Sequence, residues 1–356
     1  MKLQRIKVLL VALLLILTSL LCGCVQPITD GEAPKEPPTL SDGSGEEQGN
    51  EENGDFDNEN EDETAPVYTS LVEFLDVGDG ECIIVRFSDG KNLVIDSGAY
   101  TNEVTEKVVN KLKERCGEKI DYLILTHPDE EHIGNARTIL NNFTIGKIYI
   151  PKVLAHFGIF PEYERILNLI EEKKIATDYS DFSDYILGEE YSLVFLSPSK
   201  KGGSYARFNG STAPSDNEIN DLSPIIYLEI NGVRFVLSGD ATKTEEQLVL
   251  DQNEYDFYNL QLSSEGVNVK LKEVDFLKVS DGGSASGASN EFLYLLQAKN
   301  AIISVSGNNF KDNPDTGVLN RLQLANARYN CYRTDVYGDV SVYITDNGEY
   351  FIYTEA

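Results

Sequence analysis

Basic side chains are scarce in this sequence: 30 Lys and Arg face 59 Asp and Glu, a formal net charge of −29. Such a field opposes non-specific adhesion to nucleic acid or anionic lipid. If the substrate is a polyanion, a bound divalent cation rather than a basic surface has to attract it. Cysteine is scarce too. Beyond Cys22 and Cys24 only Cys82, Cys116 and Cys331 occur, an odd number without CxxC spacing, which argues against a disulfide framework. Cys82 and Cys331 sit in apolar runs and read as buried small hydrophobes. One long apolar run exists, residues 8–21, broken by Thr18 and Ser19. It is shorter than the roughly 20 residues needed to span a bilayer, and without a second such run the sequence does not read as a membrane channel. Histidine is limited to His127, His132 and His156.

What is present suits a globular protein. Of 356 residues, 41% are hydrophobic and 25% charged, enough for one large domain or two small ones with a substantial core. Lys2, Arg5 and Lys7 precede the apolar run, so residues 1–24 read as a signal peptide rather than a permanent span. Leu21-Cys22-Gly23-Cys24 resembles the bacterial lipobox. That resemblance implies lipidation at Cys24 and an exported protein, anchored by its lipid to the outer face of the cell membrane. The alternative is an uncleaved anchor with a chance cysteine. Residues 25–66 hold fourteen Asp and Glu against Lys35 alone, and Phe56 is their only aromatic. They bury too little to offset ordering entropy and read as a disordered acidic tether with a reach of roughly 35–40 Å.

Residues 67–356 read as one domain. Strands are expected at 70–75, 82–87 and 93–95, separated by glycine turns, then a helix at 103–114 with Val104, Val108, Val109 and Leu112 at helical spacing. A strand at 122–125 ends abruptly in Thr126-His127-Pro128, and alternation continues through 136–142, 147–150 and 163–173. A polar stretch at 199–220 is long for a structureless loop and suggests a lid or binding segment. The second half repeats the pattern: strands at 225–230, 234–237, 276–279, 301–305, 340–344 and 350–353, with helices at 244–250, 290–297 and 321–327. Two similar mixed halves imply an α/β fold with two sheets packed face to face and helices outside.

Two of the three histidines fall in one segment, Thr126-His127-Pro128-Asp129-Glu130-Glu131-His132, directly after a strand. Two imidazoles and three carboxylates on one loop are costly unless a cation neutralises them, and that donor mixture suits zinc or a harder ion such as manganese. The other reading is a solvated acidic helix start, with the carboxylates favourably placed at a helix N-terminus.

These residues carry a family resemblance. His127-Pro128-Asp129-Glu130-Glu131-His132-Ile133-Gly134 resembles the HxHxDH signature of metallo-β-lactamase-fold hydrolases, in the HPDxDHIGG form of ComEC-type DNA-uptake proteins. Further landmarks follow in the same order. Phe74-Leu75-Asp76-Val77-Gly78-Asp79-Gly80 resembles FLDVGQG, and Val94-Ile95-Asp96-Ser97-Gly98 resembles LIDTG. Phe235-Val236-Leu237-Ser238-Gly239-Asp240 resembles LLTGD, and residues 277–284 line up with LKxxHHGS. Arg333-Thr334-Asp335 with Gly338-Asp339 resembles the closing TDxxGD.

The resemblance implies an αββα four-layer sandwich and a centre for one or two divalent ions, Mn²⁺ or Zn²⁺, with Mg²⁺ as a further option. His127, Asp129, His132 and Asp240 are its ligands, with Glu131 and Asp281 as substitutes of different type. His127 and Asp129 would then hold one ion, Glu131 and His132 the other, and Asp240 would bridge; Asp281 would reach the pair as an oxygen ligand. Glu131 and Asp240 become the expected catalytic carboxylates. Asp96 either supports the metal loop without touching the ion or caps a turn beside Gly98. Asp76 reads as a turn former, His156 as a surface-packing residue, and Asn220 with Ser223 as a turn near the site. Asn308, Asn309 and Lys311 read as turn residues that could face a substrate.

Departures are specific. Glu131 stands where Asp is usual, both histidines of HHGS are replaced by Asp281 and Gly282, and Asn313 replaces a histidine before Pro314. The leading expectation is an extracytoplasmic metal-dependent hydrolase acting on a phosphodiester such as DNA. A binding or scaffold protein that has lost turnover and a hydrolase of another envelope substrate are the alternatives, because fold does not fix function.

Overall fold

The computed structural model describes residues 37–41, 66–153, 159–182, 184–198, 214–254, 269–309, 311–325 and 330–356, all within one compact unit, Pro37–Ala356. The expected leader with Cys24, most of the expected tether, His156 and residues 199–213 lie outside the described residues.

In chain order the elements are β1 (Tyr68–Phe74), β2 (Ile83–Arg86), β3 (Asn92–Ile95), α1 (Asn102–Cys116), β4 (Lys119–Ile124), α2 (Glu130–Ile133), α3 (Ala136–Asn142), β5 (Thr144–Ile150), α4 (Pro161–Lys173), β6 (Ala176–Tyr179), β7 (Tyr185–Leu187) and β8 (Tyr191–Phe195). There follow α5 (Asp216–Asn220), β9 (Ile226–Ile230), β10 (Val233–Leu237), α6 (Lys243–Glu254), β11 (Phe276–Lys278), α7 (Asn290–Leu296), β12 (Asn300–Ile303), α8 (Thr316–Ala325), β13 (Asn330–Arg333), α9 (Thr334–Tyr337), β14 (Val340–Thr345) and β15 (Tyr350–Thr354). One sheet runs β15-β14-β1-β2-β3-β4-β5-β6 and the other β13-β12-β11-β10-β9-β8-β7. Within them β3 to β6 and β10 to β13 pair in parallel.

The period-two alternation of strands sorts side chains into layers. Val72, Phe74, Ile83 and Val85 of the first sheet meet Leu193, Phe195, Leu228 and Phe235 of the second in a shared core. Ile84, Val94, Leu123 and Ile148 face the other way, onto Val108 and Leu112 of α1, Ile139 of α3 and Ile166 of α4. Tyr227, Val236, Leu277 and Ala301 likewise back onto Phe292 and Leu296 of α7 and Leu322 of α8. Three apolar layers between four structural layers make the expected αββα sandwich.

Several expectations need correction. The helix expected at 321–327 lies earlier, at Thr316–Ala325, because Asp315 accepts the Val318 amide near its start. Strands β6, β7, β8 and β13 were not anticipated; β6 is exposed along its length and lacks an alternating apolar signature. Cys331 is only half-buried, on the second sheet's edge strand β13. Within the segment expected to be a free tether, Leu40 bridges Tyr68 and the Ser41 amide donates to its carbonyl at 3.0 Å, so this short stretch docks beside β1. Cys82, Cys116 and Cys331 form no disulfide, as expected. Among the described residues no helix is long and apolar enough to cross a membrane.

Helix α1 shows how the acidic sequence uses its few cations. Thr101 caps it by accepting the Val104 amide, and Lys107, Lys111 and Arg115 follow at four-residue spacing on one face. Under that stripe lie two buried acids. Arg115 Nε and Nη2 donate to Glu73 at 2.8 and 3.0 Å, while Lys107 and Lys111 reach Asp339 at 2.7 and 2.9 Å. Asp339 also accepts the Asp76 amide at 2.8 Å. Burial raises its pKa, but Lys107, that amide and Lys111 outweigh it and hold the carboxyl below its usual range.

A depressed carboxyl stabilises the fold above its unfolded pKa, and this contribution is lost as pH falls through the lower folded value. Asp339→Asn is therefore expected to cost about 2–3 kcal/mol at neutral pH, or roughly 6–10 °C in Tm. The gap to the wild type should narrow below about pH 4. Thermal melts across pH check both parts; a gap that does not depend on pH would contradict the ion-pair account.

A candidate metal centre at the ends of the parallel strands

Parallel strands leave their C-terminal ends side by side, and the loops that leave them form a crevice. Asp96 follows β3, Thr126 and His127 follow β4, Asp240 follows β10, and Asp281 follows β11. Residues far apart in sequence are thereby brought to one place.

Asp96 is the organiser. It is fully buried and holds a left-handed backbone, φ 57°, that a non-glycine residue adopts only under constraint. Its Oδ1 accepts the Thr126 amide at 2.8 Å and its Oδ2 the Thr126 hydroxyl at 2.6 Å. Oδ2 also lies 2.7 Å from His132 Nδ1. Its carboxylate thus bonds Thr126 and His132.

These contacts assign protons. A carboxylate only accepts, so His132 Nδ1 must be the donor to Asp96. The single proton of the Thr126 hydroxyl is given to Asp96. Toward His127 Nδ1, 3.0 Å away, that oxygen can therefore only accept, which favours a proton on His127 Nδ1. Ser223 Oγ, likewise 3.0 Å from that nitrogen, completes the arrangement. Both rings are left with Nε2 turned toward Asp240, and their centroids stand 4.2 Å apart.

His132 Nε2 is 3.3 Å and His127 Nε2 3.9 Å from Asp240 Oδ2. His127 Nε2 is buried and has no hydrogen-bond partner. One ligand atom from each of His127, His132 and Asp240 lies within 4.8 Å of the others. Two ligands about 2.1 Å from a shared tetrahedral ion are about 3.4 Å apart, so the spacing suits an ion and is too long for the His127–Asp240 pair to bond directly. An unpartnered buried nitrogen, a second imidazole and a carboxylate converging on one point are a donor set that fits a divalent cation.

The same crowding sets the electrostatics. Burial alone would raise Asp240, but His132, His127 and Lys278 outweigh it and push the carboxyl well below its usual range. Burial opposes charge on His132, yet Asp240 and Asp96 raise its pKa well above the ordinary value. Lys278, entirely buried, forms an ion pair with Glu81 and donates to the Gly239 carbonyl at 2.9 Å, one residue before Asp240. The loop carrying the histidines is pinned as well. The Ser97 amide and hydroxyl donate to the His132 carbonyl at 2.7 and 2.9 Å. Gly80 abuts the same loop so closely that a Cβ there would lie 1.9 Å from the Glu131 carbonyl oxygen.

Other expected ligands take different places. Asp129 Oδ2 stands 3.6 Å from His127 Nε2 but is outside the three-residue group. Its carboxyl is held below the usual range, with His127 and His132 overcoming the effect of burial. Glu131 does not join His132 around a second ion: its Oε1 lies 3.3 Å from Lys311 Nζ. Asp281 does not join the group either. Its Oδ2 accepts the hydroxyls of Ser284 and Ser286 at 2.6 and 3.1 Å, and its Oδ1 faces Lys311 Nζ at 3.9 Å. Glu131 and Asp281 thus face Lys311 and, for Asp281, two serines, while His127, His132 and Asp240 converge.

Asp76 is the turn former expected, accepting the Gly78 amide. Thr126, Glu81 and Lys278 were missed. Adjacency of Thr126 to His127 was the one available signal; the Lys278–Glu81 pair joins strands whose proximity no local pattern reveals. Ser223, read as part of a turn, also touches His127. Asp79, Lys278, Asp281 and Lys311 line the small pocket that opens onto His132 and Asp240.

Residues 75–191 match the model of the Metallo-beta-lactamase superfamily. ComE operon protein 3 of Bacillus subtilis (strain 168) is 29% identical over 284 residues, covering 76% of this chain and 32% of that protein; the chain thus spans about a third of its relative's length. Among solved structures, the diiron β-hydroxylase CmlA from Streptomyces venezuelae aligns over 78% of this chain and 54% of its own, at 12% identity and a TM-score of 0.49. The metallo-β-lactamase fold protein YhfI from Bacillus subtilis aligns over 79% of this chain and 99% of its own, at 11% identity and a TM-score of 0.43.

The proton assignment is testable without metal. Long-range ¹H–¹⁵N spectra of chelator-treated protein at mildly alkaline pH are expected to show His127 as the Nδ1–H tautomer. Thr126→Val should shift that population toward Nε2–H. An Nε2–H tautomer in the wild type would contradict the assignment.

Proposed function

We propose that this metallo-β-lactamase-fold protein, hydrolase-like and related to ComE operon protein 3, is a metal-dependent phosphodiesterase working outside the cytoplasm. The observation that carries the reading is the buried, unpartnered His127 Nε2, aimed with His132 Nε2 and Asp240 at one point. These three residues would hold the ion, with Asp129 beside His127 at the open side. A divalent cation held there supplies Lewis acidity toward a phosphoryl oxygen and lowers the pKa of a bound water.

The chain's own groups do the rest. Asp96 orients the His132 ring through Nδ1 and reaches His127 through Thr126, and Lys278 offsets the charge of Asp240. Asp129 stays ionised at neutral pH and is placed to accept a proton. Glu131, raised by burial, pairs with Lys311, which lines the pocket. Because the net charge is −29, attraction of a phosphodiester rests on the cations of the pocket, and binding should be local rather than spread over the surface. DNA is the polymer that the ComEC likeness brings forward. The lipobox-like Cys24 belongs to the same proposal, as an anchor on the outer face of the membrane.

The full chain loaded with Mn²⁺ or Zn²⁺ is expected to hydrolyse a generic phosphodiester or single-stranded DNA and to stop in chelator. His132→Ala and Asp240→Asn should each lower kcat/KM by roughly 100-fold or more, and Asp96→Asn should weaken metal affinity by about 10–100-fold. Activity that survives His132→Ala and Asp240→Asn would remove the site. A tightly bound ion with no turnover on any phosphodiester would favour the scaffold reading instead. For the anchor, a palmitate analogue should label the wild type in bacterial cells and not Cys24→Ala; equal labelling of both would exclude lipidation there.

A further inference from the structure

Four carboxylates crowd this end of the molecule, and they fall into two sets. Asp129 and Asp240 face the imidazoles, whose unpartnered nitrogen calls for an ion. Glu131 and Asp281 face a different cation. Lys311 Nζ stands 3.3 Å from Glu131 Oε1 and 3.9 Å from Asp281 Oδ1, between the two side chains. We propose that the centre takes a single divalent ion, and that the Lys311 ammonium fills the position beside it that a second cation would need.

Lys311 is not there by accident of a floppy surface chain. Its loop is held on both sides by a reciprocal pair. The Asn313 amide donates to Asn309 Oδ1 at 2.7 Å, and Asn309 Nδ2 donates to the Asn313 carbonyl at 2.8 Å. Asn309 Nδ2 also reaches the Ser306 carbonyl at 2.7 Å, which fastens the loop to the end of β12. Asn313 Nδ2 donates to the Asp281 carbonyl at 3.1 Å, so the loop that carries the lysine is tied to the residue the lysine faces. Asp281, in turn, has its Oδ2 occupied by Ser284 and Ser286, which leaves Oδ1 for the ammonium.

The choice of residue matters chemically. An ammonium neutralises two carboxylates as a fixed point charge, offers no lone pair and meets water only as a hydrogen-bond donor, never as a Lewis acid. A second dication placed between Glu131 and Asp281 would meet it at contact distance, and like charges that close exclude one another. The Lys311 side chain is 58% exposed, so its ammonium is also the pocket cation that an anionic substrate meets first.

This inference rests on the metal-centre reading, and metal counting separates the two. The full chain, stripped with chelator, is titrated with Mn²⁺ and in parallel with Zn²⁺. Bound metal is counted by elemental analysis, and the Mn²⁺ sample is examined by electron paramagnetic resonance. Wild type and Lys311→Arg are expected to hold one ion per chain, with the spectrum of an isolated Mn²⁺. Lys311→Met should take up a second ion at least tenfold more tightly than the wild type does, with an exchange-coupled spectrum. Melting temperatures of the three proteins verify folding, and the exposure of this side chain predicts little change.

Two ions in the wild type would overturn the proposal, and so would a Lys311→Met variant still limited to one. No ion in any of them would instead remove the metal centre itself, and the proposal with it. His127→Ala, expected to lose the single ion while Lys311 is intact, identifies which position that ion occupies.

Discussion

The site depends on one buried carboxylate, Asp96, and the three groups that donate to it. Asp96 takes the Thr126 amide on one oxygen, and the Thr126 hydroxyl together with the His132 ring on the other. From those three contacts the proton positions of both imidazoles follow, one directly and one through the threonine. The backbone at Asp96 is held in a left-handed conformation to make this reach, which is the kind of local strain that surrounding structure has to sustain. Remove the carboxylate and His132 loses its orientation, while the Thr126 hydroxyl is free to donate to His127. The convergence on Asp240 then has no cause.

A second theme is how an acidic protein spends its cations. Lys107, Lys111 and Arg115 form one stripe that clamps α1 over Glu73 and Asp339. Lys278 is buried under the crevice against Glu81 and the Gly239 carbonyl. Lys311 sits over its mouth between Glu131 and Asp281. The negative field that excludes a broad nucleic-acid surface is thus compensated where loops must hold carboxylates close together. The remaining uncompensated set, two imidazoles with Asp240 and Asp129 beside them, is where an ion is called for.

Much of this architecture was legible from pattern alone. Alternating apolar residues marked β1 to β5 and β9 to β12, and Val104, Val108 and Leu112 marked α1, because these elements bury one face against a sheet. Exposed β6 and the short β7 carry no such signal, and β8 is buried but its run was not recognised as a strand. The order of short motifs located Asp96, His127, His132 and Asp240 correctly in relation to the strand ends, since each follows an apolar strand directly. It could not foretell which carboxylates share a partner. The family resemblance put Glu131 and Asp281 among the ligands as substitutes; Lys311, 180 positions from Glu131, faces both, and only the packing of both sheets brings these together. Ser223 and the Lys278–Glu81 pair were hidden for the same reason.

The most direct test is the coordination shell of the zinc-loaded full chain, measured by X-ray absorption at the zinc edge. If Asp96 organises the centre as described, the shell contains two imidazole nitrogens with the remaining ligands oxygen and none sulfur, and Asp96→Ala loses at least one imidazole. A shell without imidazole, or one unchanged by Asp96→Ala, would contradict the account.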